Sequence, residues 1–327
     1  MNRIAEMASA ERATLMRLAS DRSKAFSPAV VEKDFWVCWT LNRLFLSPTM
    51  ARKILFKGGT SLSKVFGLIE RFSEDVDLIL DWSEVTGENP ATERSVTKQD
   101  AFNKALLVQA HAYLRDTFLP ETQGLVSDVC ETVIEDNPEI VKIKYPTAFH
   151  SDYLRPEIQL EVGPLASWVP HAEYEIQPYA AEILPDAFEQ PVCTVRAIKA
   201  ERTFWEKITI LHHEAHRPEG NSQPDGYSRH YYDVCRMARS VVKQNALADL
   251  ELLRAVTAFK DKFYHRGWAR YDLAVPGTMK LVPPEHIMSA VKQDYEDMRF
   301  MIFGERPTFD DMMETLRRLE AEINALV

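Results

Sequence analysis

Cysteine and long apolar stretches are scarce in this sequence of 327 residues. Its four cysteines, Cys38, Cys130, Cys193 and Cys235, are far apart and form no C-x-x-C pair, which argues against a disulfide framework or a zinc knuckle. Reduced, mostly buried thiols are therefore expected. No run approaches the roughly 18 apolar residues of a membrane span, and the N-terminus lacks the apolar core of a signal peptide. The sequence thus predicts a cytoplasmic protein with no membrane partner.

Positive charge is also in short supply, since 39 lysines and arginines face 49 aspartates and glutamates, for a formal net charge of −10. This balance argues against indiscriminate nucleic-acid binding, which usually comes with a basic domain. One local exception is residues 261–271, where lysine, histidine and arginine alternate with aromatic side chains. Such a patch suits stacking on the bases of an RNA end. A packed loop explains the same composition equally well.

The stretch from Ile54 to Leu80 is the centre of the pattern in this chain. Its apolar start predicts a buried strand that ends at Lys57. A glycine turn follows, then a helix that opens at Thr60 or Ser61 and ends near Arg71, then a second strand. This order predicts a strand–turn–helix–strand unit.

The glycine turn has the composition of a phosphate-binding loop. Gly58 and Gly59 let the backbone turn tightly and come close to a ligand. Thr60, Ser61 and Ser63 add hydroxyls at the start of the helix, where backbone N–H groups and the helix dipole favour an anion. A serine-rich turn that only caps the helix is the alternative interpretation.

Two aspartates on the second predicted strand point to a metal. Asp75 and Asp77 are two residues apart, so their carboxylates project from one face of the strand. Mg²⁺ is usually bound by one or two carboxylates together with substrate phosphates. Together with the glycine turn, the pair predicts phosphoryl or nucleotidyl transfer, whereas a solvated acidic turn is the plainer reading of the pair alone.

The same stretch carries a family resemblance. K-G-G-T-S-L-S-K followed by F-S-E-D-V-D-L resembles the first motif of the nucleotidyltransferase (polymerase-beta-like) superfamily, and specifically of the AbiEii/AbiGii toxin family. Matching stretches are V-V-E-K-D-F-W near the N-terminus, F-W-E-K-I at 204–208 and S-R-H-Y-Y-D-V at 228–234. The resemblance implies an α+β fold. A mixed sheet with helices is expected over residues 1–194 and a helical bundle over 195–327, with the active-site cleft between them.

The resemblance also implies a function. It implies a toxin of a toxin–antitoxin or abortive-infection system used in phage defence, with a cognate antitoxin as partner. The expected reaction moves a nucleoside monophosphate from an NTP to an acceptor hydroxyl, with Mg²⁺ or Mn²⁺ as cofactor and the 3′ end of tRNA as acceptor. Transfer to a protein hydroxyl, which the acidic composition suits somewhat better, and a non-catalytic nucleotide-binding regulator are the alternatives.

Site residues follow from the matched motifs. The expected metal ligands are Asp75, Asp77 and Glu161, the last from the polar face of a strand at P-E-I-Q-L-E-V-G, with Glu157 in reserve. The same two aspartates, Glu161, Lys207 and Asp233 are the expected catalytic residues. The expected nucleotide-binding residues are Lys57, Gly58, Gly59, Thr60, Ser61, Lys64, Lys207 and Arg229.

Several charged positions keep a second interpretation. Lys207 lies between Trp205 and Ile208, so an ion pair with a carboxylate at the edge of the core is the alternative to a phosphate contact. Arg229 and Asp233 are one turn apart and suit a simple i,i+4 pair. Similarly, Glu32, Lys33 and Asp34 read as first-turn charges on a solvated face, whereas the resemblance places Lys33 or Asp34 in support of the site.

The remaining pattern is mostly helical. His212, His213 and His216 lack the H-E-x-x-H spacing of a zinc site and are expected to be exposed at a helix end. Helices are predicted at 3–20, 28–45, 98–118, 195–216, 228–238, 240–260, 284–302 and 308–326. Strands are predicted at 126–133, 140–145 and 157–163, and a proline-rich irregular stretch at 163–195.

Overall fold

The computed structural model describes residues 1–73, 75–151 and 154–326. Glu74, inside the F-S-E-D-V-D-L motif, lies outside the described residues. The chain forms two compact units, one of Met1–Phe66 with Phe72–Ile198 and one of Gly67–Arg71 with Lys199–Val327. No helix in the described ranges is both long enough and apolar enough to cross a membrane.

The first unit is built on a mixed sheet. Its strands are β1 (Ile54–Lys57), β2 (Asp75–Leu80), β3 (Glu131–Val133), β4 (Ile140–Lys144), β5 (Glu157–Gly163), β6 (His171–Ile176) and β7 (Cys193–Ile198). The order across the sheet is β3-β4-β5-β2-β1-β7-β6. β2 lies between an antiparallel β1 and a parallel β5. The central position of β2 therefore places its aspartates in the middle of the sheet.

The two faces of this sheet differ in chemistry. Alternate residues of β1, β2 and β5, including Phe56, Leu78 and Leu160, are buried in the main hydrophobic core. On the opposite face, Leu55 and Ile79 form a small apolar cluster. The aspartates of β2 share this second face by strand alternation. The candidate site thus lies on the face turned away from the main core.

Helices complete both units. Those of the first unit are α1 (Asn2–Ala5), α2 (Ser9–Ser23), α3 (Pro28–Leu46), α4 (Pro48–Lys53), α5 (Gly58–Lys64), α6 (Val96–Tyr113), α7 (Leu119–Val126) and α8 (Tyr179–Ile183). Those of the second are α9 (Ala200–Ala215), α10 (Ser228–Met237), α11 (Val241–Leu247), α12 (Leu250–Phe263), α13 (Glu285–Asp297) and α14 (Phe309–Asn324). The α+β class, with a mixed sheet followed by helices, is confirmed.

The helix predicted to reach Arg71 is shorter than expected. It begins at Gly58 and ends at Lys64, and Gly67 takes a φ of +58°, which the right-handed helix does not allow. The helix predicted at 3–20 is likewise divided. Buried Arg12 donates to the carbonyls of Ala5 and Met7, which the break leaves without helical partners.

Residues 193–198 form a strand, so the prediction of a helix from Val195 is wrong. They pair with β6 on one side and with β1 on the other, and the helix begins only at Ala200. Residues 171–176 form strand β6, although they lie in the stretch predicted to be irregular. This segment contains no proline, so the argument from proline does not apply to it. Only 131–133 of the predicted strand 126–133 is extended. The helix predicted at 240–260 is two helices, because Asp249 caps a new one by accepting from Leu252 N at 3.0 Å.

Candidate active site

Gly58 is fitted to the carboxylate of Asp77. Its φ of +81° is strained for any residue with a side chain. A Cβ atom at this position would lie 1.8 Å from Asp77 Oδ2, far inside contact distance. The turn between β1 and α5 therefore requires glycine, and it brings the backbone against one of the two predicted metal ligands.

Strand register brings the predicted metal ligands to one level of the sheet. Asp77 is paired with Lys57 of β1 on one side and with Glu161 of β5 on the other. Asp75 is paired with Gln159. The two aspartates are partly buried and Glu161 is exposed. Since directly paired residues share a face, these side chains line one polar strip of the sheet.

The hydroxyls after the glycines are used within the protein. Thr60 Oγ1 donates to Asp75 O at 2.5 Å, Ser61 Oγ to Gly58 O at 2.9 Å and Ser63 Oγ to Thr60 O at 3.1 Å. These bonds tie α5 to the start of β2 and to its own turn. A phosphate contact through Thr60 or Ser61 stays a prediction, and in this conformation their hydroxyl protons are directed at backbone carbonyls.

Lys64 is buried and forms an ion pair within the first unit. Its Nζ lies 2.9 Å from Asp34 Oδ1, and the two side chains are 4% and 3% exposed. The ammonium also lies 3.7 Å from the centre of the Tyr179 ring, and Tyr179 N donates to Asp34 Oδ2 at 2.7 Å. Burial opposes the charge, but the Asp34 carboxylate raises the pKa of Lys64 above its usual range. Nucleotide contact by Lys64 stays a prediction that this geometry does not favour.

Glu32, Lys33 and Asp34 are all buried, so the solvated-face interpretation is wrong. The Glu32 carboxylate accepts from the backbone N–H groups of Ala148 and Phe149 at 2.9–3.1 Å. Lys33 Nζ donates to two carbonyls where the chain leads into β5, Arg155 O at 2.8 Å and Glu157 O at 2.6 Å. With Asp34 on Lys64, three consecutive charges tie the start of α3 to three other segments of the first unit.

Arg155 is a residue that sequence reasoning missed. Its Nη1 lies 3.3 Å from Asp75 Oδ1 and donates to Gln159 Oε1 at 2.8 Å. The only sequence signal was its place two residues before a strand with a polar face. An arginine therefore contacts one of the two predicted metal ligands.

A second charged cluster lies in the second unit. Asp233 is fully buried and receives Arg71 Nε at 2.7 Å, Arg71 Nη2 at 2.8 Å and Lys207 Nζ at 2.8 Å. Burial alone would raise the pKa of Asp233, but these two cations hold it well below its usual range. Lys207 Nζ is also 3.4 Å from His230 Nδ1. Arg71, which sequence reasoning did not single out, completes this cluster.

The environment of this cluster bears on two predicted roles. Lys207 makes the carboxylate pair that was the alternative interpretation. Asp233 pairs with Arg71 and Lys207, whereas Arg229, one turn away, is exposed. Burial lowers the pKa of His230 far below its usual value, so the ring is neutral and accepts from the ammonium of Lys207. A carboxylate held by two cations is a poor proton acceptor.

The start of α10 is capped from a distance. The helix begins at Ser228, and Asp294 accepts from Gly226 N at 2.6 Å and Ser228 N at 2.7 Å. A carboxylate on α13 thus satisfies the first N–H group of the helix that carries Asp233 and one N–H group of the turn before it.

The histidines at the end of α9 were predicted to be exposed, and this prediction is wrong for two of them. His212 and His213 are buried. His212 Nδ1 accepts from Lys280 N at 3.1 Å, so Nε2 carries the proton and donates to Arg270 O at 2.9 Å. Burial lowers the pKa of His212 to about 4. These histidines therefore connect segments of the second unit.

The patch at 261–271 is partly packed and partly exposed. Tyr271 is buried, and the Trp268 ring lies 4.4 Å from that of His213. Tyr264 is 43% exposed, and His265 and Arg266 are exposed beside it. A cavity of about 400 Å³ is lined by His265 and Arg266 together with Arg254, Arg270 and Asp272. The packed-loop interpretation thus holds for Trp268 and Tyr271, whereas stacking of the exposed residues on RNA bases stays a prediction.

The polar strip of the sheet suits a divalent cation. Asp75 and Asp77 offer hard oxygen donors on one face, and the Gly58 backbone lies against the second. Within the part of the chain that the structure describes, no three His, Cys, Asp or Glu side chains converge closely enough to hold an ion. Two carboxylates completed by substrate phosphates are the set that Mg²⁺ commonly takes.

Comparison with known proteins agrees with the class that this arrangement suggests. The family model of the nucleotidyl transferase AbiEii toxin, of type IV toxin–antitoxin systems, matches residues 39–315. The chain belongs to this family and is a nucleotidyltransferase toxin. A search of curated proteins gives no match. Among solved structures, MenT4, a nucleotidyltransferase toxin from Mycobacterium tuberculosis H37Rv, aligns over 95% of this chain and 98% of its own, with 13% identity and a TM-score of 0.45.

Proposed function

We propose that this toxin transfers a nucleoside monophosphate from an NTP to the 3′-terminal hydroxyl of tRNA, in a reaction that depends on Mg²⁺ or Mn²⁺. The observation that carries the proposal is the pair of carboxylates on β2, which lies beside a glycine turn fitted to Asp77. When bound, the cation would neutralise the phosphates and activate the attacking oxygen. Asp75 and Asp77 would hold it, with Glu161 beside Asp77.

The reaction itself is a substitution at phosphorus. The acceptor oxygen bonds to the α-phosphorus, the bond from that phosphorus to the bridging oxygen breaks, and pyrophosphate leaves. Glu161 is the proposed acceptor of the hydroxyl proton. Asp233 is a poorer candidate, because its two cations make its carboxylate a weak base. The backbone of Gly58–Ser61 and the side chain of Lys57 are proposed to contact the phosphates. In the second unit, Lys207 and Arg229 stay predicted nucleotide-binding residues. Asp233 would orient Lys207.

The test is transfer of label to an acceptor. Purified protein is incubated with each α-labelled NTP, Mg²⁺ and either total tRNA or total cell protein. We expect label on tRNA, lost in Asp75→Ala and Asp77→Ala and kept in Asp100→Ala, an exposed aspartate on α6. Label on protein alone would replace the tRNA acceptor by a protein one. Transfer that survives both β2 substitutions would refute the proposed site.

Further proposals concern the biological setting. Membership of a type IV toxin–antitoxin family implies an antitoxin partner. We propose that the partner is encoded with the toxin, that both act in the cytoplasm, and that the pair serves in phage defence. Expression of the wild-type toxin should arrest growth, and expression of Asp77→Ala should not. Equal arrest by both would separate toxicity from the carboxylates.

A further inference from the structure

Arg155 contacts the carboxylate of Asp75, which is also a predicted ligand of the bound cation. Its guanidinium contacts Asp75 Oδ1 at 3.3 Å, on the same strand face as Asp77. The Arg155 side chain is 55% exposed and that of Asp75 is 27% exposed. An ion pair this open to water is weak, because solvent screens both charges. Asp75 can therefore exchange this partner for a stronger one.

The main chain at Arg155 is fixed while its side chain is not buried. Lys33, itself 0% exposed, donates to the carbonyls of Arg155 and Glu157 at 2.8 and 2.6 Å. Gln159 Nε2 donates to Glu157 Oε1 at 2.7 Å, which orients Gln159 Oε1 toward the guanidinium. Arg155 is thus a long cationic side chain on a rigid base beside the polar strip.

A divalent cation and the guanidinium of Arg155 compete for the same carboxylate, Asp75. A divalent cation that binds Asp75 and Asp77 removes the reason for the Arg155 contact, since like charges repel. Arginine presents a planar set of N–H donors that matches phosphate oxygens in pairs. An NTP that arrives with the metal supplies such oxygens. The displaced guanidinium then has an anionic partner at the same place.

We propose that Arg155 is an internal counter-ion, which neutralises Asp75 in the empty enzyme and moves to the phosphates of the NTP when the metal takes Asp75. The proposal rests on the proposed metal-dependent function. It makes Arg155 a nucleotide-binding residue that also competes with the metal, so its removal should change the two affinities in opposite directions.

The experiment measures both affinities on the full chain. Mn²⁺ binding without nucleotide is followed by electron paramagnetic resonance, and binding of an α,β-methylene NTP analogue with Mg²⁺ by calorimetry. Arg155→Gln should bind Mn²⁺ at least threefold more tightly and the analogue about tenfold more weakly, the loss typical of a charge-assisted contact. Arg155→Lys should restore the wild-type Mn²⁺ affinity and not the analogue affinity.

The control is Arg115→Gln. Arg115 is also an exposed arginine of the first unit paired with an aspartate, Asp116, and it should leave both affinities within twofold. Unchanged affinities in Arg155→Gln, or a loss of both, would overturn the proposal. Wild-type Mn²⁺ binding that survives Asp75→Asn would instead overturn the metal site of the proposed function, and the counter-ion role with it. Circular dichroism checks that each variant is folded.

Discussion

The buried pair of Lys64 and Asp34 allows a sharp test of what Lys64 does. Lys64→Met keeps the length and apolar stem of the side chain but leaves the Asp34 carboxylate buried without its cation. Removing one partner of a buried pair typically costs about 3–5 kcal/mol. The exposures of 4% and 3% and the separation of 2.9 Å place this pair in that class. We expect a loss of that size in the free energy of unfolding.

The assay is urea unfolding followed by circular dichroism, with Asp34→Asn and the double variant completing a cycle. The double variant should recover much of the loss, because no buried charge remains. Lys104→Met, which breaks an exposed pair with Asp100, should cost less than about 1 kcal/mol. If Lys64→Met lowers the free energy of unfolding as little as Lys104→Met does, the structural role of the pair of Lys64 and Asp34 is refuted. A folded double variant that no longer binds NTP would support the sequence-based prediction of nucleotide contact instead.

Three further outcomes are expected. Gly58→Ala should cost about 1–2 kcal/mol from its positive φ alone and weaken Mn²⁺ binding by displacing Asp77, whereas Gly87→Ala, with open space for its Cβ, should change neither. Asp233→Asn should cost about 3–5 kcal/mol in urea unfolding, since two buried cations lose their carboxylate; a cost below about 1 kcal/mol would contradict this account. His212, with its pKa lowered by burial to about 4, stays neutral in the native state while the unfolded state takes up a proton below 6.5, so stability is full above that pH and is lost as pH falls toward 4. Between pH 7.5 and 5, wild type should lose about 2 kcal/mol more than His212→Gln, and equal losses would show that His212 is not the cause.

Local patterns predicted the centre of the fold well. The apolar run before Lys57, the two glycines and the alternation around Asp75 correctly indicated β1, the turn and β2, because each depends on neighbours in sequence. The helix α5 was predicted to continue to Arg71 but ends at Lys64. The local pattern could not show that Arg71 pairs with Asp233, which is 162 residues further on. Strand β7 was missed because its partners β1 and β6 decide its conformation, whereas its alanine and charged neighbours suggest a helix.

The polar parts of the site were harder to predict than the backbone. Three adjacent charges in V-E-K-D usually indicate a solvated face, and only the family resemblance suggested otherwise. The partners that bury His212 lie 58 and 68 residues away, so no local signal distinguishes it from an exposed helix end. Arg155 precedes a strand and has no motif of its own, and its contact with Asp75 depends on the parallel pairing of β2 with β5.

The charges of Glu32, Lys33 and Asp34 have a consequence for motion. One turn of α3 holds residues 147–149, the chain at 155–157 and the start of α8, so none of these segments can loosen while that turn stays in place. An opening of α3 would release all of them at once. Amide exchange at Ala148, Phe149 and Tyr179 should then follow a single opening event, which makes the rigidity of these segments a property of one helical turn.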